Sequence, residues 1–234
     1  MRESGSLSDS VVGCIFSNEL VDSFPVHRIR RENGAWRELY VDVKDDQFSF
    51  QSQPLSFPPG DLPSPLRYGP YPDGYTTEVN FAAFDWLEQM ARILKRGVLL
   101  TIDYGYEDAD YYAPHRTDGT LLCYHRHRTN CNPLDHVGEQ DITAHVNFTR
   151  LTAWGQQIGL ELRRFTDQSN FLVDSCREEI ERIVNANPGQ PDKARPQLQT
   201  LLHPGGMGRA FKVLVQEKRI GAAKLSGLKY TRPL

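Results

Sequence analysis

The 234-residue chain is predicted to adopt an α/β fold with an inserted β-hairpin, on three observations. Two short apolar runs, residues 11–16 and 98–102, each end abruptly in polar residues, the pattern of parallel strands covered on both faces. Segments with apolar residues at helical spacing alternate with further strand-like runs. Asn33-Gly34 separates two alternating segments, 26–31 and 37–43, and is a strong two-residue hairpin signal. A single domain over 1–234 is expected, with the hairpin and a Pro-rich loop forming an excursion at 26–77.

The first run, 11–16, ends at Asn18, Glu19 and Asp22, and Pro25 stiffens the exit. Ligands in open α/β sheets bind beyond the carboxyl ends of the strands, so these polar residues are candidates for a site. The alternative is a helix N-cap, a role Asn and Asp also take. Phe48 and Phe50 suggest a third strand after the hairpin. Residues 54–74 hold too many prolines and glycines for regular structure and read as a surface excursion or a lid over the site.

A helix is predicted over 81–95, with Phe84, Leu87, Ala91 and Leu94 on one face and Gly97 as its stop. The strand 98–102 then places Asp103 and Tyr104 on the same rim as Asn18, because a strand, a helix and a strand in this order favour a parallel crossover. Residues 106–147 read as loops plus a short extended piece around Leu121, Cys123 and His125. A helix follows over 148–158 with Asn147 as N-cap and Gly159 as stop, then a strand over 160–165. A helix over 169–186 capped by Ser169, a break at Asn187-Pro188-Gly189, a short helix over 194–201 and a last strand over 211–216 complete the chain.

A net charge of -3 and a pI near 6.2 give no basic field, so nucleic acid is not an expected partner. No apolar stretch approaches the roughly 20 residues that span a bilayer, and residues 1–8 have neither a signal core nor the character of an organelle leader. A cytoplasmic location is expected, or a mitochondrial one for a eukaryotic chain with a missing N-terminus. Four cysteines are too few and uneven for a disulfide framework, and Cys14 is expected to act as a small buried hydrophobe.

Cys123-x-His125-x-His127, with Cys131 and His136 nearby, offers zinc-type ligand atoms. On an extended segment, however, alternate residues lie roughly 7 Å apart, too far for the first and third to share an ion without a bend. No metal is therefore expected. His145, in Asp141-Ile-Thr-Ala-His145, reads as a base oriented by Asp141 and Thr143, or as a packing residue. Asp103 reads either as a carboxylate facing a cleft or as the anchor of a turn.

Four blocks in order, Asn18-Glu-Leu-Val-Asp-Ser-Phe-Pro-Val-His27, Thr101-Ile-Asp-Tyr-Gly105, Gly138-Glu-Gln-Asp-Ile-Thr-Ala-His-Val-Asn147 and Met207-Gly-Arg-Ala-Phe-Lys-Val-Leu214, resemble the MidA family of S-adenosylmethionine-dependent methyltransferases. That family includes a mitochondrial complex I assembly factor that methylates a protein arginine. The resemblance implies a Rossmann-like class I methyltransferase sheet, with this chain resembling its C-terminal part. Family members carry a Gly-rich turn and an acidic residue on earlier strands; no Gly-x-Gly-x-Gly precedes Gly13 here. The resemblance implies S-adenosylmethionine as cofactor, bound weakly or not at all by this chain alone. Asn18, Glu19, Asp103 and Tyr104 are the expected cofactor-side residues. An arginine acceptor demands carboxylates, because they pair bidentately with the guanidinium fork and favour loss of its proton. Glu19 is the first choice, with Asp22, Glu78 and His145 as further catalytic candidates. A protein substrate, and a companion chain or homo-oligomer, are the expected partners; a noncatalytic interaction module or one half of a split enzyme is the alternative.

Overall fold

Residues 11–126, 128–185, 194–221 and 225 are described by the computed structural model. β1 (Val11–Asn18) is followed by the hairpin β2 (His27–Glu32) and β3 (Ala35–Lys44), then β4 (Gln47–Gln53), α1 (Ser64–Tyr68), β5 (Thr76–Val79), α2 (Ala82–Ile93) and β6 (Leu94–Tyr106). Next come α3 (Asp108–Tyr111), β7 (Leu122–His125), β8 (Arg128–Asn130), β9 (Asp141–Thr143), β10 (Val146–Asn147) and α4 (Phe148–Gln157). β11 (Glu161–Asp167), α5 (Gln168–Ser175), α6 (Arg177–Val184), α7 (Ala194–Leu202), α8 (Met207–Ala210) and β12 (Phe211–Lys218) close the described chain. The expected alternation of strands and helices is present, and the chain divides into two compact units. The first comprises 1–19, 86–105 and 151–234; the second comprises 20–85 and 106–150, so the hairpin segment shares its unit with residues far along the chain.

The first unit is built on a mixed sheet of order β1-β6-β12-β11. β1 and β6 run parallel, pairing Gly13 with Gly97 and Asn18 with Ile102, so the two apolar runs are neighbours with Asn18 and Asp103 at one rim. β12 is antiparallel to both β6 and β11. Ile102, Phe211, Val213 and Val215 form a core against which Val98, Leu100 and Phe171 pack. The expectation that β1 is covered on both faces is corrected. Among the described residues it is the edge strand, Val12 and Phe16 are 57% and 58% exposed, and Cys14 is exposed as well. An apolar run reports burial only if something covers it, and nothing in the sequence of the strand names its neighbours.

Helix α2 buries Leu87 and Ala91 as its spacing predicts, and the Asn80 side chain caps it, Ala83 N donating to Oδ1 at 2.9 Å. Its end is corrected: the helix stops at Ile93 and β6 begins at once, so Gly97 lies inside a strand rather than at a helix terminus. The cap predicted for α4 is present, with Arg150 N donating to Asn147 Oδ1 at 3.0 Å. The helix predicted over 169–186 is instead two, α5 and α6, divided at Cys176. Ser175 Oγ turns back to the Phe171 carbonyl at 2.6 Å at that break, a local bond that competes with straight helix. Ser169 is not the cap, since Asp167 holds that position and its carboxylate instead accepts from Lys212 at 2.8 Å. The break predicted at 187–189 lies outside the described residues.

The second unit holds two sheets, β4-β3-β2-β5 and β8-β7-β9. Asn33-Gly34 forms the predicted turn, pairing Glu32 with Ala35, and both turn residues have positive φ. The Pro-rich stretch is mostly irregular, as expected, apart from a 3-10 turn at Pro59–Asp61 and α1, but it is anchored in the core: Leu62 and Leu66 are 3% and 2% exposed and join Ile29, Tyr75, Val79 and Tyr111 there. Each such leucine contributes on the order of 2 kcal/mol by burial. Trp36 Nε1 donates to the Leu66 carbonyl at 2.8 Å, and Tyr71 OH to that of Tyr112 at 3.0 Å, so the backbone is tied as well as packed. No helix among the described residues is long and apolar enough to cross a membrane.

Candidate active site

In the first unit, β1 delivers Asn18 to the sheet rim beside Ile102, and Glu19 N donates to the Ile102 carbonyl at 3.0 Å, adding one bond to the ladder. Glu19 then leaves the strand at φ 48, a left-handed conformation that costs a non-glycine residue roughly 1 kcal/mol. Both side chains are exposed, and Asn18 Nδ2 donates to Glu19 Oε1 at 3.2 Å. The carboxylate is thus aimed by an unusual backbone and a neighbouring amide. Neither residue caps a helix; the next element, a single 3-10 turn at Val21–Ser23, has no side-chain cap.

Asp103 is fully buried within β6, paired with Lys212 of β12, and its Oδ1 accepts from the adjacent Tyr104 N at 2.9 Å, so it neither faces open solvent nor anchors a turn. Tyr104 is half-buried and packs edge-on against Phe211 with ring centroids 5.5 Å apart. Of the four rim residues, Asn18 and Glu19 therefore present polar groups to solvent, whereas the Asp103 carboxylate is buried in β6.

In the second unit, Thr120 is the hub. Its amide and hydroxyl donate to Glu78 Oε2 at 2.8 and 3.1 Å, and its hydroxyl oxygen accepts from His145 N at 3.2 Å and lies 3.4 Å from the Tyr111 hydroxyl. Gly119 permits this approach: at φ 79 it lies so close that a Cβ would sit 2.2 Å from Glu78 Oε1. Glu78 is fully buried, and burial raises its pKa although the Thr120 amide and the Arg28 guanidinium pull it down.

His145 Nδ1 is 3.3 Å from the Thr120 carbonyl, which can only accept, so Nδ1 carries the proton. Burial lowers the His145 pKa to about 4, opposed by that bond and reinforced by Arg116. The ring is neutral at pH 7. It stacks on Tyr106 at 5.0 Å and 10°, and the Arg116 guanidinium lies over the same Tyr106 ring at 4.2 Å. Asp22 is 3% exposed, and its carbonyl accepts from Ala144 N at 2.9 Å. Ala144, Phe24, Arg28, Phe50, Leu121 and Ile142 are among the residues lining a cavity of about 440 Å³ in this unit.

Glu78 and His145 are therefore tied to Thr120, and Asp22 is joined to the adjacent Ala144 through its main-chain carbonyl; none of the three is an exposed group. Tyr106 and Arg116 are absent from the residues singled out in the sequence; Gly119-Thr120-Leu121, part of the pattern by which the chain resembles its family, is the signal that points to the hub.

Residues 4–166 match the family model described as "Putative S-adenosyl-L-methionine-dependent methyltransferase". The chain belongs to this family. A Burkholderia thailandensis protein solved with S-adenosyl-homocysteine bound superposes with a TM-score of 0.84 at 28% identity, covering 97% of this chain and 56% of that one. A native Burkholderia thailandensis structure of the same superfamily gives 0.83 at 28% identity, covering 97% and 58%. The Drosophila melanogaster mitochondrial protein named as the homolog of the arginine methyltransferase NDUFAF7 is 26% identical over 223 residues, 90% of this chain and 48% of its own length. The chain thus spans about half the length of the relatives it matches. Its first unit has the mixed α/β sheet of a partial Rossmann-like methyltransferase core.

Proposed function

We propose that this chain supplies the acceptor-side rim of an S-adenosylmethionine-dependent protein arginine methyltransferase, corresponds to the C-terminal part of that fold, and shares the role in complex I assembly that its resemblance implies. The observation that carries the reading is Glu19: an exposed carboxylate at the carboxyl end of a parallel strand, held at φ 48 and bonded to Asn18. Non-glycine residues in such conformations cluster at functional sites, where the surrounding structure sustains their strain.

The donor set at the rim fits the cofactor. The Asn18 amide offers a donor to the carboxylate of the cofactor's amino-acid end, which leaves the Glu19 carboxylate to the methyl acceptor. S-adenosylmethionine, when bound, supplies an electrophilic methyl on a sulfonium. A guanidinium is a poor nucleophile because its lone pairs are delocalised and its pKa exceeds 12. Glu19 accepts two of its N–H bonds, fixes the planar fork and draws the proton lost by the nitrogen that gains the methyl. Asp103 binds the Tyr104 amide on the neighbouring strand β6. Alignment and exclusion of water then supply most of the rate.

A second reading, an interaction module or one half of a split enzyme, is favoured by the exposed Val12 and Phe16 on edge strand β1. Both readings share the proposal that this chain, which spans about half the length of its relatives, binds S-adenosylmethionine weakly or not at all on its own. They part in a chimera in which this chain replaces the matched 56% of the Burkholderia thailandensis relative. Calorimetry is expected to show cofactor binding by the chimera and not by the chain, and the chimera is expected to form methylarginine in an arginine-rich protein. Micromolar affinity in the isolated chain would contradict the rim assignment; a cofactor-binding chimera without methylarginine would favour the interaction module.

A further inference from the structure

The ligand atoms of His125, His136 and Glu139 lie within 4.8 Å of one another. Local structure places each one. His125 ends β7, and the register that pairs Tyr124 with Asp141 carries it past the ladder to Glu139, whose carbonyl is 2.8 Å from His125 Nδ1. A carbonyl only accepts, so Nδ1 holds the proton and Nε2 presents a lone pair. Metal-ligating histidines are oriented in this way, with the far ring nitrogen tied to a carbonyl or carboxylate. His136 and Glu139 are the first and fourth residues of a turn closed by Glu139 N donating to the His136 carbonyl at 2.8 Å, with His136 at φ 45.

We propose that His125 Nε2, the His136 imidazole and the Glu139 carboxylate form a site for a divalent transition-metal ion of the zinc type, stapling the 136–139 turn to the end of β7. Two imidazoles and one carboxylate are a recurrent zinc donor set, with bonds of roughly 2.0–2.2 Å and a fourth position for water. The two rings stack at 4.1 Å and 9°, whereas a cation lies in the plane of each ring it bonds. On binding, the exposed His136 ring therefore turns out of the stack while His125 stays fixed by its carbonyl bond.

The expectation of no metal rests on strand spacing within Cys123-x-His125-x-His127. The turn at 136–139 supplies the bend that spacing lacks, and it selects different ligands: Cys123 is fully buried, and His127 lies outside the described residues. The site stands apart from methyl transfer and does not depend on it.

Zn²⁺ titrated calorimetrically into the chain in a non-chelating buffer is expected to bind at one ion per chain. His136→Ala and Glu139→Gln, both at exposed positions, should each weaken it at least about tenfold, while Cys131→Ser leaves it unchanged. The Co²⁺ adduct should lack thiolate-to-metal charge-transfer absorption. Absence of binding, unchanged affinity in either ligand variant, a loss in Cys131→Ser or a thiolate band would each overturn the proposal.

Discussion

Glu19→Gln in the chimera is expected to lower single-turnover methyl transfer to an arginine protein by roughly 100-fold while changing cofactor affinity little. Hydrogen bonds to a charged group contribute about 1.5–3 kcal/mol, and a hundredfold in rate corresponds to about 2.7 kcal/mol. Glutamine keeps the size of the side chain and its bond to Asn18 but loses the charge that a guanidinium pairs with. Glu19→Gly serves as the structural control. Glycine adopts φ 48 without strain, so this variant should retain stability while losing transfer to the same extent. Unchanged transfer in Glu19→Gln would remove the residue from the acceptor site. An equal loss of cofactor affinity would reassign it to holding the methionine end.

The second large effect concerns the strand pair that positions that rim. Gly97→Ala should destabilise the first unit by about 3 kcal/mol or more, read as a lower urea midpoint. At φ 146 its Cβ would sit 1.8 Å from the Gly13 carbonyl oxygen of the neighbouring strand. Gly13 has nearly the same conformation, φ 148, but a Cβ added there would meet nothing within 4 Å, so Gly13→Ala carries backbone strain alone. Its cost should be smaller, about 1–2 kcal/mol. Equal costs for the two would show that β1 and β6 do not approach as closely as the Gly13–Gly97 pairing requires.

What the sequence makes legible follows from local rules. The apolar runs, the Asn33-Gly34 turn and the Asn147 cap each depend on a few neighbouring residues, and each appears where it is expected. Some misreadings, such as the split of α5 from α6, are local, but others have an outcome decided by distant partners. Burial of β1 depends on what lies at the sheet edge, and the Pro-rich segment is tied by Trp36 and Tyr112 from elsewhere in the chain. Glu78 illustrates the same limit within the site. Its carboxylate looks available in sequence, yet Thr120, 42 residues away, supplies the donors that bury it. Glu19 is legible because its position follows from the end of one strand, although its left-handed backbone is not.

Ultraviolet cross-linking of methyl-labelled S-adenosylmethionine to the chimera, with the adduct mapped by mass spectrometry, tests the rim assignment most directly. Label is predicted in the peptides that contain Asn18 and Glu19 or Asp103 and Tyr104. Label distributed elsewhere in this chain, with both of those peptides unmodified, would contradict it.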